Sequence, residues 1–279
     1  MARQRIQKHL DAAQLFRCPL CGSPMDARGT SLACASGHSF DASAKGFVTF
    51  VGNCAALKGY DAAFFEARRR VFETGLYRPV LDAVIDSIRE AEGGGPIVDA
   101  GCGEGYYAKG VQRACGRPVI GLDYAKDAIR CAARGASEPL WLVADLANIP
   151  IADGAASAVL NVFTPANYRE FARILTDDGI LVKVVPGPGH MRELRQLAQG
   201  QIKRADYSNQ AIVEHLERHA TVVNRRRVVH TQHIDAGDAM DAVRMSPVSF
   251  DVELDAGDMA KLDDLTVDAE VIVARRIQG

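Results

Sequence analysis

The segment Ile97-Val-Asp99-Ala-Gly101-Cys-Gly103-Glu-Gly105-Tyr106 runs a short buried-strand pattern into glycines at every second position and then into a helix. Glycine is required where a backbone must turn sharply and let another group come close. Beyond Gly93-Gly94-Gly95 the chain alternates strand and helix patterns. Strands are predicted at 96–100, 118–122, 140–143, 158–162 and 180–185, and helices near 105–114, 125–134, 167–175 and 190–199. Such alternation predicts an α/β fold with a mostly parallel sheet covered on both faces. Two further strand-like runs, 221–234 and 265–277, flank a helical stretch at 238–245. No internal repeat or low-complexity tract interrupts the pattern.

Upstream of the glycines, Phe47-Val-Thr-Phe-Val51 reads as a short strand and 52–59 as a linker. Helical periodicity starts near Asp61 and runs through Phe64, Phe65, Ala67, Val71 and Phe72 to Gly75. It resumes after Pro79 with Val80, Leu81, Val84, Ile85 and Ile88. The expected division is an N-terminal module at 1–50, a helical linker at 51–92 and the main α/β domain at 93–279.

The N-terminal module has its own signature. Cys18-Pro-Leu-Cys21 is followed after twelve residues by Cys34 and after three more by His38. Three thiolates and one imidazole fill a tetrahedral zinc shell and leave no position for substrate water, so the expected ion is structural. Pro19 and Gly22 turn the first knuckle and Gly37 the second. Cys54, Cys102, Cys115 and Cys131 lie outside the set and are expected to pack. Free thiols in this number suit a reducing compartment rather than a disulfide framework.

The net charge of −2 hides an asymmetry. From residue 235 onward there are 11 acids and 4 bases, a balance of −7, which leaves 24 acids and 29 bases, or +5, in residues 1–234. Arg68-Arg69-Arg70 and Arg225-Arg226-Arg227 could therefore meet phosphates, or could be solvated faces. The charged start of the chain carries no apolar core or cleavage site, and no stretch approaches membrane-span length, so no membrane partner and a cytoplasmic location are expected.

The glycine loop is not a dinucleotide fingerprint, because that pattern requires glycine where Tyr106 stands. With Asp99 just before it, the loop resembles that of class I, Rossmann-like, methyltransferases. That resemblance implies S-adenosylmethionine, whose amino-acid end packs against Gly101, Gly103 and Gly105. Asp123 ends the next strand, where it could accept both ribose hydroxyls. Asp145 follows the third strand, where such enzymes often meet the adenine amino group. Taken singly, an acid after a strand is also a helix cap.

Taken together, the blocks resemble the guanine-N1 methyltransferases of large-subunit ribosomal RNA, the family that includes the tylosin-resistance enzymes. The resemblance covers most of the chain: Cys18-Pro-Leu-Cys21, Cys34, Gly37-His38-Ser-Phe-Asp41, Lys45-Gly-Phe-Val, Phe65-Glu-Ala-Arg-Arg69 and Gly75-Leu-Tyr77. It continues through Asp99 to Tyr107, Asn161-Val-Phe-Thr-Pro165, Pro186-Gly-Pro-Gly-His190-Met-Arg-Glu-Leu194 and Met245-Ser-Pro247. It implies methylation of guanine N1 in a hairpin of 23S rRNA, with Tyr77 and His190 beside the cofactor together with Gly103 and Glu104. A second copy of the chain is a further expected partner. Taken alone, His190 reads as a helix-start residue and Tyr77 as a core aromatic.

The chain departs from the family pattern at Leu76, in a linker that is less basic before Asp61, and in the loop expected at Gly179-Ile180, which lacks the usual Pro-Gly-Gly and has acid brought there by Thr176-Asp-Asp178. On the acceptor side Asn161, Thr164 and Pro165 are the candidates to grip the base, against the reading of a plain strand-to-helix turn. No residue announces itself as the general base. Neither Asn-Pro-Pro-Tyr nor a Pro-Cys nucleophile follows the fourth strand, which argues against exocyclic-amine and C5 chemistry. The rival readings are a small-molecule methyltransferase and a non-catalytic zinc protein that binds RNA or assists ribosome assembly.

Overall fold

The computed structural model describes residues 2–52, 58–91, 93–135, 139–198, 201, 207–247, 250, 252 and 254–279; Cys54, the middle of the linker and the end of the expected 190–199 helix lie outside them. Helix α1 (Ala2–Asp11) precedes a small antiparallel sheet of β1 (Met25–Arg28), β2 (Ser31–Cys34) and β3 (Ser39–Asp41). Strand β4 (Phe47–Thr49) leads to α2 (Ala62–Glu73) and α3 (Arg78–Glu90). Asp61 caps α2 by accepting the Phe64 amide at 2.8 Å, and Gly75, at φ 92°, takes the left-handed conformation that ends the turn. Pro79 opens α3, whose apolar stripe is buried as its spacing requires.

The main domain continues with β5 (Ile97–Ala100), α4 (Tyr106–Cys115), β6 (Val119–Asp123), α5 (Lys126–Ala132), β7 (Leu140–Val143), β8 (Ala156–Val162), α6 (Tyr168–Ile174), β9 (Leu175–Pro186) and α7 (Arg192–Leu197). After α8 (Gln210–His219) come β10 (Thr221–His233), α9 (Ala236–Arg244), α10 (Ala256–Met259) and β11 (Asp264–Arg275). Eight strands form one sheet in the order β10-β11-β9-β8-β5-β6-β7-β4. Pairing is parallel from β9 through β4, and antiparallel where β11 inserts between β9 and β10.

Two differences from the sequence expectation matter. Thr176-Asp-Asp-Gly179 is not a loop but part of the start of β9, with Thr176 to Asp178 exposed and Gly179 buried, and a register shift opposite Ala156 and Ala158. And β4, from the N-terminal segment, pairs in parallel with β7, Phe47 opposite Trp141, and completes the edge of the large sheet.

Side-chain alternation along the strands divides the core in two. Ile97, Leu160, Val182 and Val271 face α2, α3 and α9. Val98, Ile120, Leu142, Val159 and Leu181 face the other way, in one cluster with Leu10, Phe16, Met25, Leu32 and Phe50. The N-terminal module is therefore part of the layer that covers the second face. Backbone bonds from Ala152 to Leu15 O (2.9 Å) and from Arg17 to Pro150 O (3.3 Å) reinforce the seam.

Candidate functional site

Cys18, Cys21, Cys34 and His38 converge, with all four ligand atoms within 4.8 Å of one another. Cys21 Sγ is 3.6 Å from Cys34 Sγ, and His38 Nδ1 is 3.4 Å from Cys34 Sγ and 3.5 Å from Cys18 Sγ. Ligands about 2.0–2.3 Å from a central tetrahedral zinc stand about 3.4–3.8 Å apart, so the donor set fits the ion. The backbone explains the convergence: Gly22 N donates to Cys18 O (2.8 Å) and Gly37 N to Cys34 O (3.1 Å), with both glycines at positive φ. These are the two knuckle turns.

The glycine loop joins β5 to α4 at the sheet's C-terminal edge. Gly101, Gly103 and Gly105 have φ of 83°, 55° and 85°. A Cβ on Gly101 would lie 2.6 Å from Thr164 Oγ1, and one on Gly105 2.4 Å from the Trp141 ring, so neither position admits a side chain. A Cβ on Gly103 would meet nothing nearer than Arg68 Nε at 3.7 Å, because that glycine faces a cleft. The cleft, about 360 Å³, is lined by Gly101, Gly103, Asp123 and Asp145, by Thr164 and Pro165, and by an aromatic wall from Tyr60, Phe64 and Phe65 on the linker side. It lies at the carboxyl ends of β5, β6 and β8, where open α/β sheets take their ligands.

Asp123 Oδ2 accepts the Gly103 amide (3.0 Å) and Oδ1 the Ala125 amide (2.8 Å), which ties β6 to the glycine loop. Burial pushes its pKa above the ordinary carboxylate value, opposed by those two amides. Asp145 Oδ1 accepts the Ala147 amide at 2.8 Å and so shapes its own turn. Asp99 is fully buried beneath the loop; burial, and then the neighbouring Glu104, push its pKa up to about 7. Its Oδ2 has no hydrogen-bond partner among the described residues. The space at Gly103, the Asp123 carboxylate and the aromatic wall together fit an adenosyl cofactor, polar at the sugar and flat at the base.

Tyr77, Glu104 and His190 are not in the wall of that cleft. Tyr77 and His190 line an adjoining cavity of about 220 Å³, which shares Arg68, Phe163 and Pro247 with it. Tyr77 Oη is 3.4 Å from His190 Nε2, and His190 Nδ1 donates to Asp268 O at 3.1 Å. Burial lowers the His190 pKa to about 4, so the ring is neutral at neutral pH. Glu104 is buried and paired with Arg68.

On the acceptor side, a cavity of about 580 Å³ is lined by Phe163, Thr164, Pro165, Tyr168, Lys183 and Tyr207, among others. Thr164 and Pro165 border both this cavity and the cofactor cleft. Asn161 does not face either: it is fully buried, and its Nδ2 donates to Pro165 O at 3.0 Å while its Oδ1 accepts from Lys183 Nζ at 2.5 Å. The reason is register: Asn161 lies beside Lys183 in the β8–β9 pair, and its side chain is turned under the Phe163-Thr164-Pro165 turn. Asn161 thus holds the Phe163-Thr164-Pro165 turn rather than gripping a base.

Two residues of this region had no sequence signal pointing to the site. Lys183 reads as an interruption of an apolar strand, yet it is 2% exposed, and burial lowers its pKa to about 8. Asp268 is one acid in the acidic tail, yet it is fully buried, accepts the Gly189 amide (2.8 Å) and pairs with Arg227 (2.7 Å). It fixes the loop that presents His190.

The arginine triplets are largely spoken for. Arg68 pairs with Glu104, Arg69 with Glu66 and Glu73, and Arg70 with Asp241. Arg225 pairs with Glu217 and Glu270, Arg226 with Asp86 and Glu90, and Arg227 with Asp268. Neither run is an unpaired phosphate patch, because the fold brings acids distant in sequence against each of them.

A parallel sheet with one antiparallel insertion, a glycine loop after its first central strand and an acid ending the next define a class I methyltransferase. The family described as "RlmA, N-terminal" matches residues 16–51, and the family described as "Methyltransferase domain" matches 98–183. YxjB of Bacillus subtilis, named as a 23S rRNA (guanine-N(1)-)-methyltransferase, is 36% identical over 94% of this chain and 97% of its own length. The 23S rRNA (guanine(748)-N(1))-methyltransferase of Streptomyces fradiae is 31% identical over 86% of this chain and 87% of its own. The chain belongs to the 23S rRNA (guanine-N1)-methyltransferase family. Among solved structures, a chain from the complex of the Haloferax volcanii Trm112 methyltransferase activator with a methyltransferase covers 80% of this chain and 100% of its own, at TM-score 0.53 and 17% identity, a likeness of fold.

Proposed function

We propose that this protein methylates N1 of a guanine in a hairpin of 23S rRNA, using S-adenosylmethionine, with a structural zinc at Cys18, Cys21, Cys34 and His38. The observation that carries the reading is the junction at Thr164 and Pro165, where a cleft fitted to the cofactor meets a larger cavity with Phe163, Tyr168 and Tyr207 in its wall. A base must leave its stack before its Watson–Crick edge can be reached, and flat aromatic walls suit such a base. Family membership supplies the nucleotide and the RNA.

When bound, the cofactor supplies an electrophilic methyl group. Asp123 would take the ribose hydroxyls and Asp145 the adenine amino group, while Gly101, Gly103 and Gly105 let the amino-acid arm lie close. Tyr77 and His190 would border that arm from the adjoining cavity, and Glu104, next to Gly103 in the loop, would lie behind it, paired with Arg68. Thr164 and Pro165, held by Asn161 and Lys183, align guanine N1 for in-line attack. Transfer of that methyl to N1 would release S-adenosylhomocysteine, and the N1 proton would pass to water. Residues 1–50 would read the RNA shape, 51–92 wall the cofactor cleft, and 93–279 carry the chemistry. A ribosomal RNA substrate supports a cytoplasmic location, and a homodimer belongs to the same proposal.

The test is chemical. The protein is incubated with labelled cofactor and unmodified rRNA, the RNA is digested, and the nucleoside is identified. The expected product is N1-methylguanosine; label at N2, on a ribose or only on a small metabolite overturns the reading.

A further inference from the structure

Arg68 stands apart from the other arginines of its triplet. It projects from the buried side of α2, and its side chain is only 20% exposed. Its Nε is 2.9 Å from Glu104 Oε2, and its guanidinium lies 4.6 Å from the centroid of the Phe72 ring. The Glu104 carboxylate from one side, through an ion pair, and the Phe72 ring from another restrict where the planar group can lie. Burial of Glu104 makes that hold costly to break, since removing one member of a buried pair leaves an uncompensated charge.

The position of this guanidinium is informative. It lines the cleft that contains Gly101, Gly103 and Asp123, and it lines the adjoining cavity that contains Tyr77 and His190. Among the described residues it is the one cation in the wall of the first. The open side of Gly103 faces it, with Arg68 Nε the nearest atom to a Cβ placed there. A ligand whose ribose sits on Asp123 and whose arm crosses Gly103 therefore ends at Arg68.

S-adenosylmethionine ends its arm in an α-carboxylate and an α-ammonium group. A carboxylate drawn from water into a cleft needs a cation or several N–H donors to offset the loss of hydration. Arginine offers five N–H donors in a fixed fork, so the guanidinium can stay ion-paired with Glu104 while its terminal nitrogens bind a second anion. We propose that Arg68 binds the α-carboxylate of the cofactor, with Glu104 and Phe72 as the groups that position it. This rests on the cofactor reading above and assigns Arg68 to the cofactor rather than to RNA.

Two ligands separate the possibilities. S-adenosylhomocysteine carries the amino-acid arm; methylthioadenosine keeps the adenosine and the thioether but lacks the arm. Calorimetry on the full-length zinc-loaded protein should show Arg68→Met weakening S-adenosylhomocysteine roughly ten- to a hundredfold, the range for a bond to a charged group, with methylthioadenosine changed less than about twofold. Because the single change leaves Glu104 buried without its partner, Arg68→Met combined with Glu104→Gln is measured alongside and should show the same selective loss. Arg68→Lys keeps the charge without the fork and should fall between wild type and Arg68→Met. Equal losses for both ligands, or no loss for either, would overturn the assignment. A wild-type protein that binds neither ligand would instead overturn the cofactor reading on which it rests.

Discussion

His9 Nε2 accepts the backbone amide of Trp141 at 3.3 Å, a bond between the first helix of the chain and the strand that β4 pairs with. The opposite ring nitrogen, Nδ1, donates to Arg5 O at 2.9 Å, so the neutral ring satisfies both neighbours. A proton on Nε2 would set two N–H groups against each other. Burial, with a smaller push from the neighbouring Lys8 charge, lowers the His9 pKa to about 4.

The folded-state pKa lies below the ordinary value of 6.5, so the unfolded chain takes up this proton first and stability is lost as pH falls. His9→Gln keeps an acceptor that does not titrate. Between pH 6.5 and about 4 the wild-type protein should lose up to about 3 kcal/mol relative to His9→Gln, read from denaturant melts at a series of pH values. Every other titrating group is common to both proteins, so the difference isolates the ring. Parallel curves would show that His9 does not stay neutral in the fold.

Removing one member of the Cys/His cluster should reach further than the N-terminal segment. Phe16, Met25 and Leu32 share one core with Val98, Leu142 and Leu181. Cys34→Ser should abolish stoichiometric zinc in metal analysis and lower the melting temperature of the whole protein in one transition, because metal binding and folding are coupled. Two separate transitions, with the upper one unmoved, would show that the shared core does not transmit the loss.

The exposed arginines of the triplets should contribute little to RNA binding. Exchanging Arg69, Arg225 and Arg226 together for Gln removes three cations already matched by carboxylates. The slope of log affinity against log salt should stay within error of wild type. Arg28 and Lys45, exposed and without ion pairs among the described residues, are better placed. Their exchange for Gln should flatten the slope by roughly 0.7–0.9 for each phosphate that the protein ceases to neutralise. The opposite ranking would return the RNA surface to the triplets.

The chemistry of the two ligand sites was legible along the chain because it depends on local spacing. Zinc knuckles need Cys and His at short intervals with glycine to turn, and a glycine loop needs small residues at alternate positions; both are properties of about ten to twenty consecutive residues. The alternation of strand and helix carried the parallel sheet in the same way. What the sequence could not reveal depends on which distant segments meet. Whether an arginine is free or paired is set by acids up to 171 residues away, as with Arg70 and Asp241. Asn161 faces inward because the β8–β9 register puts Lys183 beside it, and β4 joins the large sheet because β7 leaves it an open parallel edge. Burial, ion pairing and strand neighbours are properties of the closed fold, so only the tertiary structure turns Arg68 toward the cleft and its two neighbours in the triplet away from it.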